Sequence, residues 1–144
     1  MNIAQHLSAP LVLYLNGDLG AGKTTLSRLI IQSLGYSGNV KSPTYSFVEL
    51  YPFSRLYLYH FDFYRFHSPF EFEEAGLIEY FNEKSVCLVE WHQKAKGFVP
   101  QADLSCNLSV ADCDENARYV ELLAHSAKGK ECLSKILSTR ADCF

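Results

Sequence analysis

The stretch that decides the fold is Leu11-Val-Leu-Tyr-Leu-Asn-Gly-Asp-Leu-Gly-Ala-Gly-Lys-Thr-Thr25. Its first six residues are apolar or β-prone without polar alternation, which is typical of a strand buried on both faces of a sheet. Residues 17–24 match the pattern G-x-x-x-x-G-K-[ST] at every fixed position. Apolar residues then recur at helical spacing as far as Leu34, and Gly35 suits the position that ends a helix. This context favours a phosphate-binding loop over a glycine-rich turn that matches by chance.

The glycine-rich loop, residues 17–24, has the residue types that phosphate binding requires. Several backbone N–H groups must point at the phosphate oxygens at once, so the chain has to curl where a Cβ atom would obstruct it. The helix that follows directs its N-terminal amides and positive dipole end to the same place. Lys23 would reach the β- and γ-phosphates, and the Thr24 hydroxyl would bind Mg²⁺. The predicted nucleotide-binding residues here are Gly17, Gly20, Ala21, Gly22, Lys23, Thr24 and Thr25.

The remaining elements extend outward from this unit. Two β-prone stretches, residues 45–51 and 56–62, are separated by a short turn and predict an antiparallel pair. The pattern further predicts one or two short helices over 70–81, a buried strand over 86–89, a strand pair over 104–110 and 119–123, and a closing helix over 132–137. Mixed strands with helices on both faces predict a three-layer α/β domain of the P-loop NTPase-like kind. The 144 residues suffice for one such domain, spanning 1–144.

Acidic residues at the ends of two predicted strands are candidates for metal binding and catalysis. Glu90 follows the buried strand 86–89, where an unpartnered carboxylate would be costly, so we predict that it binds Mg²⁺ together with Thr24. Asp62 ends the preceding strand and would polarise the attacking water or lie in the metal's second coordination sphere. A solvated glutamate and a structural aspartate are the alternatives. His60 shares a strand face with Asp62, but a lone strand histidine is more often packed and hydrogen-bonded than functional.

Thr44, in Ser42-Pro-Thr-Tyr45, follows the first helix where proteins with this loop place a segment that senses the γ-phosphate. It would contact that phosphate or its Mg²⁺, and an ordinary turn is the alternative. The guanine-reading motif N-K-x-D is missing, since the nearest string is Asn82-Glu-Lys-Ser85. We therefore predict that the nucleotide is ATP.

Composition argues against several other classes of protein. The net charge of −3 provides no overall positive field for nucleic acid, so an RNA contact would be local or supplied by a partner. The five cysteines have no C-x-x-C spacing and predict neither disulfides nor a zinc site. No apolar run approaches the roughly 18 residues that cross a bilayer, and residues 1–8 do not resemble a signal peptide, so we expect a cytoplasmic protein. A small-molecule kinase is the alternative function, but the five arginines form no lid-like cluster.

Five motifs in series resemble the TsaE (also called YjeE) family, over roughly residues 9–124. They are 17–25 (GDLGAGKTT), 38–45 (GNVKSPTY), 60–65 (HFDFYR), 74–81 (EAGLIEYF) and 88–91 (LVEW). The resemblance implies an ATPase required to make N6-threonylcarbamoyladenosine at position 37 of tRNAs that read codons beginning with A. Such proteins act with the TsaB–TsaD pair, in which TsaD transfers the threonylcarbamoyl group, so tRNA would be reached indirectly through that complex.

The resemblance also implies a central parallel sheet with antiparallel strands at its margins. It implies hydrolytic roles for Asp62 and Thr44, and walls on the nucleotide side formed by Trp91, Gln93 and Lys94. Arg118 matches a family arginine to which we assign no role. Family members usually begin with a strand and most of a helix before the loop, whereas residues 1–7 resemble only the end of such a helix.

The segment 70–81 is predicted to contact a protein partner. It contains four glutamates and four aromatic residues, which are Phe70, Phe72, Tyr80 and Phe81. Those aromatic side chains are more than one short element can readily bury, and aromatic residues at a polar rim are typical of interfaces. A solvated helix is the alternative.

Overall fold

The strand, loop and helix predicted from residue 11 onward are all present in a computed structural model, which describes residues 3–141. In chain order the elements are β1 (Leu11–Asn16), α1 (Lys23–Ser33), β2 (Val48–Pro52), β3 (Tyr57–Asp62), α2 (Phe70–Glu74), β4 (Ser85–Glu90), β5 (Leu104–Ala111), β6 (Asp114–Ala124) and α3 (Ala127–Ala141). Short 3-10 helices lie at Ala4–His6, Leu77–Tyr80 and His92–Ala95. The segment 70–81 therefore forms two short helices, as predicted.

The six strands form one mixed sheet in the order β2-β3-β4-β1-β5-β6. β1 pairs in parallel with β4 and β5, and β3 pairs in parallel with β4. The outer strands β2 and β6 are antiparallel to their neighbours. This arrangement confirms the expected parallel centre with antiparallel margins. Because parallel strands end at the same edge, β1, β3 and β4 bring Asn16, Asp62 and Glu90 to one edge of the sheet.

Helices and turns cover the two faces of the sheet with different side chains. One face is aliphatic and lies under α1 and α3, with buried Leu11, Leu13, Leu15, Ile30, Ile31, Leu58, Leu88 and Ile136. The other face is aromatic and lies under α2 and the 3-10 helices Leu77–Tyr80 and His92–Ala95, with buried Tyr59, Phe61, Phe63, Phe66 and Phe72. Val12 and Tyr14 are only half-buried, so full burial holds for one face of β1 and for both faces of β4.

Three element boundaries differ from the sequence expectation. β2 begins at Val48 rather than at 45, because Thr44 to Ser46 form a turn and Phe47 has a φ of +68°. β6 begins at Asp114 rather than at 119. Pairing with β5 extends the strand over residues that are too polar to show a strand pattern in the sequence. α3 begins at Ala127 because Ser126 caps it: the Gly129 N–H donates to Ser126 Oγ at 3.0 Å.

Two further features bear on the composition-based expectations. Within residues 3–141 no helix is long and apolar enough to cross a membrane. Cys87, Cys106, Cys113 and Cys132 are free thiols, and Cys143 lies outside the described residues.

Candidate nucleotide-binding site

The backbone of the glycine-rich loop requires its glycines. Gly20 and Gly22 have φ angles of +80° and +105°, in the left-handed region that side chains rarely adopt. Gly17 is limited by space, because a Cβ atom there would lie 2.7 Å from the Leu108 carbonyl oxygen and 2.9 Å from Cβ of Ala21. The loop is thus pressed against β5 on one side, and α1 begins directly after it. Backbone N–H groups at such a helix start form a favourable site for an anion.

Lys23, the first residue of α1, folds its side chain back over the loop. Its Nζ donates to the carbonyl oxygens of Gly17, at 2.5 Å, and Asp18, at 2.9 Å. The same nitrogen lies 4.6 Å from the centroid of the Trp91 ring, within range of a cation–π contact. Burial lowers the pKa of the Lys23 ammonium, and the carboxylates of Glu90, Asp62 and Asp18 oppose that shift. A buried positive charge is therefore held at the mouth of the loop.

Glu90 contacts the first turn of α1 through Thr24. Only 2% of its surface is exposed, although it carries a carboxylate. The Thr24 hydroxyl lies 3.2 Å from Oε1 and 3.3 Å from Oε2 of Glu90. On its other side, Nε2 of His60 lies 2.5 Å from Oε2. The structure thus brings the two predicted Mg²⁺ ligands, Thr24 and Glu90, into direct contact and adds His60 as a neighbour of Glu90.

Asp62 lies next to Glu90 on the adjacent parallel strand, where the two residues are in register. It is also buried, and its Oδ1 accepts a hydrogen bond from the Tyr64 N–H at 2.9 Å. Burial raises the pKa of the Asp62 carboxyl; the Tyr64 hydrogen bond lowers it, and the charge of Glu90 raises it further. The raised pKa makes Asp62 a stronger base than an exposed aspartate, which suits a group that orients or deprotonates water.

These side chains surround an open cleft of about 340 Å³. Its walls are Leu19, Gly20, Gly22, Lys23, Thr24, Thr25, Ser42, Thr44, Asp62, Tyr64, Glu90 and Trp91. The cleft therefore brings together Thr44 and most of the other residues predicted from sequence. Thr44 Oγ1 lies 2.7 Å from Ser42 Oγ, so two hydroxyl groups face the loop from the same segment. Gln93 and Lys94 are not among the walls and are exposed in the next turn, so their role at the nucleotide stays a prediction.

Sequence reasoning did not assign roles to three residues near the cleft. Tyr64 packs against Trp91, with ring centroids 5.0 Å apart. It lies within the motif 60–65, but no role was predicted for it. Arg118 reaches from β6 to the loop, where its Nε donates to the Ala21 carbonyl at 2.9 Å. His60 was expected to be a packed residue, and no local signal in the sequence identifies its neighbour as Glu90. The pairing of β3 with β4 creates that contact.

The oxygen donors at the cleft fit a magnesium ion that is brought with a nucleotide. Within residues 3–141 no group of three or more His, Cys, Asp or Glu side chains could hold a metal by itself. Mg²⁺ does not need such a group, because it usually takes one or two protein oxygens and completes its octahedron with phosphate oxygens and water. Thr24 and Glu90 present two such oxygens side by side and could hold the ion.

Comparisons with known proteins agree on one family. A family model described as "Threonylcarbamoyl adenosine biosynthesis protein TsaE" matches residues 1–120. A tRNA threonylcarbamoyladenosine biosynthesis protein TsaE from Haemophilus influenzae is 47% identical over 129 residues, which are 90% of this chain and 80% of the relative. The Bacillus subtilis protein of the same name is 43% identical over 104 residues, 72% of this chain and 65% of the relative.

A solved structure gives the same result for the fold. The crystal structure of YdiB from Bacillus subtilis superposes with a TM-score of 0.77 at 31% sequence identity. The match covers 98% of this chain and 85% of that chain. The three-layer architecture with a mixed sheet is therefore shared with an experimentally determined structure.

Proposed function

Because this chain belongs to the TsaE family of threonylcarbamoyl adenosine biosynthesis proteins, we propose that it binds Mg-ATP in the cleft around residues 17–24 and hydrolyses it. The product of the pathway would be the N6-threonylcarbamoyladenosine at position 37 of tRNAs that read codons beginning with A. The proposed partners are the TsaB and TsaD proteins, and this chain would meet tRNA only through their complex.

The observation that best supports ATP binding is the contact between Thr24 and Glu90, 3.2 Å apart, beside the buried ammonium of Lys23. Phosphate and magnesium are bound by different groups of a protein. Phosphate needs positive charge and N–H donors, whereas the metal needs hard oxygen ligands. The start of α1 places both sets of groups within one turn of helix, because Lys23 and Thr24 are consecutive residues.

Each side chain would have a separate role with ATP bound. Lys23 would exchange its loop carbonyl contacts for the β- and γ-phosphate oxygens. The Thr24 hydroxyl and the Glu90 carboxylate would hold Mg²⁺, which when bound neutralises charge on the phosphates. Asp62, whose carboxyl pKa is raised mainly by burial, would orient the attacking water and accept its proton. Thr44, which also lines the cleft, would contact the γ-phosphate.

We propose that hydrolysis by the isolated chain is slow. In P-loop enzymes an arginine commonly stabilises the charge that develops in phosphoryl transfer. Among residues 3–141 no arginine lines the cleft. Arg118, which lies near the loop, donates instead to the carbonyl oxygens of Ala21 and Glu115. Stabilisation of the transition state would then depend on a partner, and the TsaB–TsaD pair is the candidate.

The segment 70–81 is the proposed contact with that pair. Phe70 and Ile78 are 60% and 52% exposed, and Glu73 and Glu74 are exposed between them. Of the four aromatic side chains in this segment, which were expected to exceed what one short element can bury, only Phe70 is exposed. Phe72 is buried in the aromatic core, and Tyr80 and Phe81 pack partly against that core, because the short helices cover this face of the sheet. The candidate contact surface is therefore smaller and consists of Phe70, Glu73, Glu74 and Ile78.

Depletion and complementation test the biological role. Cells depleted of this protein should lose threonylcarbamoyladenosine from their tRNA, as measured by mass spectrometry of nucleosides. Wild-type protein should restore it, and Lys23→Ala at equal abundance should not. Unchanged modification after depletion would overturn the proposed role.

Turnover against partner concentration tests the proposed contact. The TsaB–TsaD pair should stimulate ATP hydrolysis by the wild type. Charge reversal at both Glu73 and Glu74 should lower that stimulation while ATP affinity stays unchanged, because neither side chain lines the cleft. Charge reversal at Glu131, an exposed residue of α3, is the matched control. Equal stimulation of the wild type and the Glu73/Glu74 variant would place the contact elsewhere.

A further inference from the structure

His60 is a fully buried histidine, 0% exposed, in the interior of β3. One ring nitrogen, Nε2, lies 2.5 Å from Oε2 of Glu90. The other, Nδ1, is buried and has no hydrogen-bond partner among the described residues. A buried polar atom without a partner costs on the order of 1–3 kcal/mol, so packing alone does not favour a histidine at this position. The contact with Glu90 is the interaction that offsets this cost.

The direction of that hydrogen bond follows from the chemistry of the two groups. An ionised carboxylate can only accept, so the proton lies on Nε2 and is donated to Oε2 of Glu90. A proton on Nδ1 would be a buried N–H without an acceptor, which disfavours it. The bond is charge-assisted on the acceptor side, and such bonds are stronger than neutral ones.

The position of the bond determines what it can do. Glu90 has three rotatable side-chain bonds, and its carboxylate faces Thr24 across the start of α1 at 3.2 Å and 3.3 Å. His60 contacts the same carboxylate from the neighbouring strand, two residues before Asp62. Contacts from two elements restrain the carboxylate in an orientation that places its oxygens beside the Thr24 hydroxyl.

We propose that His60 is a positioning residue, which holds the Glu90 carboxylate in the orientation that binds Mg²⁺ together with Thr24. The inference rests on the proposed function, because Glu90 must be a metal ligand for its orientation to matter. Groups that hydrogen-bond to a metal ligand commonly change metal affinity by about 10–100-fold when they are removed. His60 therefore controls the response to magnesium, although it does not line the cleft itself.

Two substitutions of similar size separate positioning from packing. The side-chain amide of His60→Gln places an N–H near the position of Nε2, whereas that of His60→Asn reaches only as far as Nδ1. ATP affinity is measured by calorimetry across a magnesium titration and again in EDTA. In His60→Asn the magnesium concentration at half-maximal effect should rise by about tenfold or more, with the affinity in EDTA unchanged. His60→Gln should recover most of the wild-type response.

The outcomes distinguish this inference from the proposed function. If wild-type affinity does not respond to magnesium, the proposed metal site and the role of His60 both fail. If the wild type responds and folded His60→Asn responds equally, only the inference fails. Equal weakening with and without magnesium in both variants would make His60 a purely structural residue and would also overturn it.

A measurement on the wild-type protein tests the inference even if the His60 variants do not fold. Nitrogen NMR of the ¹⁵N-histidine-labelled protein should show the His60 ring protonated at Nε2 and bare at Nδ1. Addition of Mg²⁺ and ATP should shift the Nε2 resonance, because its acceptor becomes a metal ligand. The opposite tautomer would overturn the proposal.

Discussion

The interior of the central strands and their carboxyl ends are almost equally buried but chemically opposite. Leu13 and Leu88 are 0% exposed in the middle of β1 and β4 and belong to the aliphatic core. Two residues beyond Leu88, Glu90 is 2% exposed, and Asp62 at the end of β3 is 8% exposed. Each of these strands therefore has apolar side chains that stabilise the fold in its interior, whereas β3 and β4 have buried charged side chains at their carboxyl ends.

The difference shows how one sheet accommodates both. In the interior, apolar side chains leave water and need no partner. At the carboxyl edge every buried charge has found a polar contact: Lys23 with loop carbonyls, Glu90 with Thr24 and His60, and Asp62 with the Tyr64 N–H. Buried charges in such contacts contribute little net stability, so they are weak determinants of folding, and the proposed function gives them a role in binding. Substitutions in the two regions should therefore separate stability from binding.

The largest effect is expected in the interior. Leu88→Ala removes a fully buried side chain of the aliphatic core and should lower the free energy of unfolding by about 2–5 kcal/mol. Urea unfolding followed by circular dichroism measures this change. The ATP affinity of the folded variant should match the wild type. Weaker binding by a fully folded Leu88→Ala protein would show that the two regions are not separable.

Lys23→Ala tests the carboxyl edge. The ammonium should contribute on the order of 1.5–3 kcal/mol to phosphate binding through charge-assisted hydrogen bonds. ATP binding by calorimetry should therefore weaken by about tenfold to a hundredfold. Lys84→Ala is the matched control. Lys84 is an exposed lysine directly before β4, at the end of the strand opposite to Glu90, so this variant should bind ATP as the wild type does. Unchanged ATP affinity in folded Lys23→Ala would refute the binding site.

A pair of substitutions divides the edge into metal binding and hydrolysis. Glu90→Gln should weaken ATP binding in Mg²⁺ by less than Lys23→Ala does, because phosphates and water supply most of the metal's ligands. Asp62→Ala should leave binding nearly intact and lower turnover. Calorimetry and a phosphate-release assay on both variants provide the readouts. The reverse pattern would mean that the two roles are exchanged.

The smallest effect concerns stability against pH at Asp62. Burial raises the pKa of its carboxyl in the native state, so the folded protein binds this proton more tightly than the unfolded chain. The contribution of Asp62 to the free energy of unfolding therefore falls as the pH rises from about 3.9 through the raised native pKa. Asp62→Asn removes that loss and should be more stable than the wild type at pH 7. Thermal melts should show the gain shrinking as the pH falls towards about 4; a gain independent of pH would contradict the explanation.

Most of the fold could be predicted from sequence where the signal is local or repeated. The doubly buried β4 stands out because it has four consecutive apolar residues, and α1 shows helical periodicity with Gly35 after it. β2 and β6 were placed less accurately, since both lie at the edges of the sheet and expose many side chains. The start of α3 was missed because its cap, Ser126, also bonds Asp103 in the loop before β5, a residue distant in sequence.

The sequence by itself determined that residues 11–35 form a strand, a glycine-rich loop and a helix. Its apolar pattern, its glycines and its helix start act over a few residues, so no distant part of the chain is needed. It also determined the residue types at the ends of β3 and β4. Glu90 could be named in advance because a carboxylate directly after a doubly buried strand is unusual without a partner. Asp62 was predicted from its place at the end of β3, Thr44 from its place after α1, and both from the family resemblance.

Only the tertiary structure decided how those residues meet. Placing β3 beside β4 sets Asp62 next to Glu90 and His60 against its carboxylate, and the approach of β5 requires a glycine at position 17. Gln93 and Lys94, in the turn after Trp91, are exposed and do not line the cleft. Strand neighbours depend on which faces can be buried together across the whole chain, and local propensity contains no information on that choice.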